Sequence, residues 1–189
     1  MNKLIRAAQM VQQALVGAEI PFCFIGGFAA QRHAEPRVSR DVDVSILTGL
    51  GNEASVIDAM IAVFAPRIDD AREFAMRYRV LLLKTHDDIG IDAALTVLPF
   101  EADMIARSSL FEFAPGVLLR TCSAEDLLVM KIFAGRPIDW RDVEMILRRY
   151  RIGGLDLGAV RERVAPLLTA KDNVEALHEF EQLVARVSG

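Results

Sequence analysis

The spacing of hydrophobic and polar positions changes several times along the chain, and each change marks an element. Between residues 3 and 16, Leu4, Ile5, Ala8, Val11, Leu15 and Val16 recur every three or four positions, one face of an amphipathic helix. Gly17 and Pro21 end it. Phe22-Cys23-Phe24-Ile25 is apolar throughout, as expected of a strand in the middle of a sheet. Gly26-Gly27 supplies a turn, and Phe28 to His33 reads as a short helix. After an irregular connector containing Pro36, the period drops to two. Asp41, Asp43, Ser45 and Leu47 then share one face of a strand, and Val42, Val44 and Ile46 share the other. Val56, Ile57, Met60, Ile61 and Phe64 predict a helix over 53–64, stopped by Pro66. Residues 79–85 and 91–97 read as two strands joined by a hairpin through His86 to Gly90. Pro99 suits the first turn of a helix to about Arg107, and Val117 to Arg120 is a last strand. The stretches 67–78 and 108–116 receive no element.

From Ser123 the pattern is helical only. Ser123 with Asp126 forms a capping-box signature ahead of Leu127, Leu128, Met130, Lys131, Ile132 and Phe133, and Gly135 closes that helix. Asp139 is expected to cap a second helix to Tyr150, with Val143, Ile146 and Leu147 inward. Gly153-Gly154 breaks it, and two further amphipathic helices follow over 157–168 and 173–187. Strands mixed with helices, then helices alone, predict an α+β protein. Its core would be a small mixed β-sheet flanked by helices over 1–121, with a helical region over 122–189 packed on it.

Composition narrows the class. With 189 residues and 52% hydrophobic positions, the chain can bury a sizeable core. Its net charge of -4 argues against coating nucleic acid by bulk charge, though it leaves room for a local basic groove. No apolar run reaches the ~20 residues of a membrane span. The first twenty residues lack the apolar centre of a signal peptide, so a cytoplasmic protein without membrane contact is expected. Cys23 and Cys122 lie far apart in apolar surroundings and are expected to be buried, reduced thiols.

The candidate chemistry concentrates between Phe22 and Val44. Asp41 and Asp43 project from one face of a strand, ~6.6 Å apart along it. Two carboxylates so placed repel unless a counter-charge sits between them, and a divalent cation answers that need. Magnesium is the usual partner of oxygen-rich sites that handle nucleoside phosphates. Gly26 and Gly27, at a strand-to-helix turn, allow backbone N–H groups to approach an anion closely at the positive end of a helix. A phosphate cradle beside a carboxylate pair outlines a triphosphate site.

Ile25-Gly26-Gly27, thirteen residues, then Asp41-Val42-Asp43-Val44 resembles the nucleotidyltransferase signature of the DNA polymerase β superfamily. Arg37-x-Ser39-x-Asp41-x-Asp43 is similar to the R-x-[ST]-x-D-x-D pattern of the AbiEii-like toxin and minor nucleotidyltransferase groups. The segment from Ile25 to His33 resembles their GG-x-A-x-x-x-H opening. The resemblance extends to about residue 150, because Glu125 to Leu147 looks like the helical segment that follows the core in those groups. It implies two magnesium ions and an NTP substrate, with Asp41, Asp43 and a third carboxylate as catalytic metal ligands. Asp87, Asp88 and Asp92 are the candidates for the third. Asp87 and Asp88 sit in a turn, where acids are ordinary. Asp92 sits in an otherwise apolar strand, where an unpaired acid is costly, and takes the role. The resemblance also implies that Lys131 lies near the triphosphate, against the alternative of a lysine whose stem lies along a helix surface. Gly26, Gly27, Arg37 and Ser39 complete the nucleotide-binding set.

The remaining polar residues have ordinary readings as well. Arg37 and Arg40 could fork onto phosphate or merely balance Asp41 and Asp43. Arg148-Arg149-Tyr150-Arg151 could meet an RNA backbone, but cations are favourable at any helix C-terminus. Three functions compete: a toxin-like enzyme that nucleotidylates RNA or protein, with a cognate antitoxin; an antibiotic-type enzyme with a small-molecule acceptor, often shared across a homodimer; and a nucleotide-binding module without catalysis. The first best matches the motifs.

Overall fold

The period-two run becomes the strand that anchors the sheet. In the computed structural model, which describes residues 2–35, 39–150 and 152–188, β2 (Val42–Leu47) pairs antiparallel with β1 (Phe22–Phe24) and parallel with β5 (Gly90–Thr96). β5 pairs antiparallel with β4 (Val80–Lys84), and β4 with the two-residue β3 (Ala65–Pro66). On the other flank β1 runs parallel to β7 (Val117–Thr121), which forms a hairpin with β6 (Ser109–Ala114). The result is one mixed, seven-stranded sheet in the order β3-β4-β5-β2-β1-β7-β6. The fold is therefore α+β, as the sequence predicts.

Alternation decides which face is buried. Val42, Val44 and Ile46 lie in register with Ile91, Ala93 and Leu95, and all six are buried. They share one core with Ile5, Val11 and Leu15 of α1 (Lys3–Gly17) and Val56, Ile57 and Met60 of α3 (Glu53–Ile61). Each Val, Ile, Leu or Met among them contributes roughly 1.5–3 kcal/mol by leaving water. The partner residues Asp43, Ser45, Asp92 and Ala94 consequently point to the opposite face. There α5 (Pro99–Arg107) packs on β2. Its entry is fixed by Glu101, whose Oε2 accepts from the N–H groups of Val97 (3.1 Å) and Leu98 (3.0 Å).

The residues cluster into two compact units. The first holds the sheet, α1, α3, α4 (Ala71–Tyr78), α5 and the start of α2 (Gly26–His33). The second holds the end of α2 and α6 (Ala124–Ala134), α7 (Pro137–Tyr150), α8 (Leu157–Ala170) and α9 (Glu175–Ser188). Within it α6 contacts α7, α8 and α9. That explains why Leu127, Leu128, Val129 and Ile132, which do not form a single stripe, are all buried. Ser123 caps α6 through its side chain, and Gly135 ends it at φ +68.

Several expectations need correction. β3, α4 and β6 occupy stretches that the apolar pattern left blank. The helix expected to reach Phe64 ends at Ile61, and Val16 is exposed although its spacing placed it inward. Asp139 lies inside α7, not ahead of it. Its Oδ2 still accepts from the Arg136 N–H at 3.3 Å, so it closes the helix start from the third position. Cys23 and Cys122 are buried thiols. Among the described residues no helix is long and apolar enough to cross a membrane.

Candidate active site

Two neighbouring strands bring the first acids together. The parallel register sets Asp92 of β5 directly opposite Asp43 of β2, about 4.8 Å apart across the ladder. Both stand on the face away from the core. Asp41 lies one residue before β2. The Asp41 and Asp92 side chains are 48% and 40% exposed, open enough to meet a ligand from solvent.

The glycine turn is fitted to Asp43. Gly26 begins α2 at φ +48, a conformation that side-chain-bearing residues rarely adopt. The Gly27 N–H donates to Asp43 Oδ2 at 3.2 Å, and the Ile25 N–H donates to the Asp43 carbonyl at 3.1 Å. A Cβ on Gly26 would come within 2.7 Å of the Asp43 Cβ, and one on Gly27 within 2.6 Å of the Ser39 Cβ. Ser39 in turn donates its Oγ hydrogen to the Asp41 carbonyl at 3.0 Å. Gly26, Gly27, Ser39, Asp41 and Asp43 thus form one interlocked group. Gly26→Ala combines a left-handed backbone cost of about 1–2 kcal/mol with a collision against Asp43. It is expected to lower the melting temperature, as thermal melts of the variant and the wild type would read.

Arg67 was not anticipated. It follows β3, its guanidinium bonds to Asp92 Oδ1 through Nη2, and its Nη1 lies 3.9 Å from Asp41 Oδ1. Among the described residues no three His, Cys, Asp or Glu side chains converge on one ion position; the arginine bridges the acids. The donor set still fits a hard cation such as magnesium, because it is all oxygen, partly open and flanked by Gly26 and Gly90, which project no side chain toward Asp43 and Asp41.

The other expected site residues fare differently. Arg37 lies outside the described residues, as does Arg151. Arg40 is exposed. Lys131 belongs to the second unit and does not run its stem to solvent. It is buried, with Nζ 2.8 Å from both Asp139 Oδ1 and Asp142 Oδ2. Arg148 pairs with Glu144, and Arg149 donates to the Ala34 carbonyl at 2.6 Å. His33 Nδ1 and the Tyr150 hydroxyl are 2.6 Å apart.

Burial pushes the Asp139 carboxyl up, but hydrogen bonds and charge from Arg136 and Lys131 outweigh it and hold the group below its ordinary value. A depressed folded pKa stabilises the protein above the unfolded value of ~3.9, and that stability is lost as pH falls through the folded value. Melts taken from pH 7 down to 3 are therefore expected to show the gap between wild type and Asp139→Asn narrowing below about pH 4.

Residues 10–186, most of the chain, match the profile of a family described as Nucleotidyl transferase AbiEii toxin, Type IV TA system. Among solved structures, the fold is similar to the solution structure of the antibiotic-resistance factor ANT(2'')-Ia, at 17% identity and TM-score 0.55 over 93% of this chain and 96% of that one. A crystal structure of ANT(2")-Ia in complex with adenylyl-2"-tobramycin matches at 16% identity and TM-score 0.55, over 90% and 99%. An antigenic nucleotidyltransferase-like protein from Paracoccidioides brasiliensis matches at 15% identity and TM-score 0.50, over 93% and 92%. At such identities the likeness is one of fold. No curated protein matches the sequence.

Proposed function

The chain belongs to the AbiEii nucleotidyltransferase toxin family, and from that premise we propose that it transfers a nucleoside monophosphate from an NTP to a hydroxyl of an RNA or protein, as the toxin of a toxin–antitoxin pair. The observation that carries the chemistry is the row in which Asp43 faces Asp92 across parallel strands, with the Gly26-Gly27 turn against Asp43. Asp41, Asp43 and Asp92 would hold magnesium, which supplies charge neutralisation at the phosphates and a more acidic acceptor hydroxyl.

The chain's own residues then have distinct tasks. The Gly27 N–H fixes the orientation of the Asp43 carboxylate. The N-terminus of α2 presents further backbone N–H groups to the triphosphate. Asp92 would take the acceptor's proton. The acceptor oxygen then bonds to the α-phosphorus as the bond to the β-phosphate breaks, and pyrophosphate leaves. Arg37 and Ser39 stay assigned to nucleotide binding by the motif. No covalent enzyme intermediate is needed, so positioning and electrostatics supply the rate. The family's description as a type IV toxin favours a macromolecular acceptor and a separate antitoxin. The fold likeness to ANT(2'')-Ia keeps a second reading in play, a small-molecule acceptor.

Incubation with α-labelled NTPs, magnesium and separate RNA, protein and aminoglycoside pools decides between them. Label in RNA or protein is the expected result, and label on the aminoglycoside alone selects the second reading. Absence of Asp43-dependent label from every pool removes both.

A further inference from the structure

We propose that Arg67 is a built-in counter-cation of the carboxylate site, one that gives up Asp92 when a divalent ion enters and so sets the ion concentration at which the site fills. The inference rests on the nucleotidyl-transfer reading above and adds a residue to it. It starts from sheet register. Pro66 pairs with Leu83, and the Arg67 N–H donates to the Leu82 carbonyl at 3.0 Å. Leu82 pairs with Asp92, and Asp92 with Asp43. Arg67, Leu82, Asp92 and Asp43 therefore form one row across the sheet. The arginine's backbone is tied down at the end of that row, and only its side chain is free to move.

Gly90 makes room for that side chain. It lies two residues before Asp92 on β5, and a Cβ there would sit 2.7 Å from Arg67 Nη1. The guanidinium passes over the glycine to reach Asp92 Oδ1 and to approach Asp41 Oδ1 at 3.9 Å. A divalent ion taken up by Asp92 and Asp41 would bring two positive centres against the same carboxylates, and they repel. The ion pair is partly exposed on both sides, with side chains 27% and 40% accessible. Solvent screening keeps such a pair weak enough to exchange. Before the ion arrives, the arginine offsets part of the negative charge on Asp92 and Asp41.

The test is Mn²⁺ binding to the full chain without nucleotide, followed by electron paramagnetic resonance of the free ion. Arg67→Gln is expected to bind Mn²⁺ about 3- to 10-fold more tightly than wild type, the scale of one screened ion pair. In the wild-type chain, the Arg67 Nε–Hε signal in ¹⁵N NMR is expected to shift on Mg²⁺ addition, with the midpoint of the binding curve. This second arm needs no variant to fold. Unchanged or weaker binding by Arg67→Gln, or an Arg67 signal that Mg²⁺ leaves in place, overturns the role of Arg67 but not the transfer reading. Mn²⁺ binding that survives in both Asp43→Asn and Asp92→Asn removes the carboxylate site, and with it both.

Discussion

Asp43→Asn is expected to lower nucleotidyl transfer by about 10³-fold or more, some 4 kcal/mol of barrier, while leaving the fold intact. The substitution keeps the shape of the side chain. An Asn oxygen can still accept the Gly27 N–H that now reaches Asp43 Oδ2 at 3.2 Å, so the turn keeps its partner. Val42 and Val44 on either side remain in the core. What is lost is a negative charge facing Asp92 across the strand pair, the feature a divalent cation needs. Matching circular dichroism and melting temperature, with turnover at background, is the outcome that supports this. A variant with a tenth of wild-type turnover would show that Asp43 is not a required ligand.

Lys131→Met is the substitution with the largest expected effect on stability, about 3–5 kcal/mol by the cost of breaking a buried pair from one side. The ammonium lies 2.8 Å from each of two carboxylates, Asp139 and Asp142, and all three side chains are buried. Removing it takes away the ammonium that balances both buried acids, while Arg136 stays paired with Asp139. Adding Asp142→Asn to Lys131→Met should recover part of the loss, because Asp142 then no longer carries the buried charge that Lys131 balanced. Urea unfolding of the three chains measures both quantities. A loss under about 1 kcal/mol for Lys131→Met would place the lysine among exposed pairs of little consequence.

What could be read without coordinates follows from where the apolar signal is strong. β2 was legible because alternation with period two separates Val42, Val44 and Ile46 from Asp43 and Ser45. Asp92 was legible because an acid in Ile91-Asp92-Ala93-Ala94-Leu95 demands an explanation. α4 was missed because the residues it buries are Ala71 and Ala75, too small to register as an apolar stripe. β6 was missed because Leu110 and Phe111 are exposed, so its pattern does not report a buried face. Arg67 had no local signal at all. It stands between the two-residue β3 and α4, neither of which the apolar pattern marked, and its partner Asp92 is 25 positions away. Only the β3-β4-β5 register brings the two together.

The register of β2 against β5 also dictates how this chain tolerates changes in length. Six consecutive pairs, Val42 with Ile91 through Leu47 with Thr96, hold it. A one-residue slip of β5 against β2 would turn Asp92 into the core and an apolar neighbour toward Asp43, so the acid pair disappears in a single step. The segment 48–89 between the two strands is under no such rule at its exposed turns. Gly49 and Gly51 have open space where a side chain would project. Family members that differ in length should therefore carry their insertions there and keep β5 free of gaps.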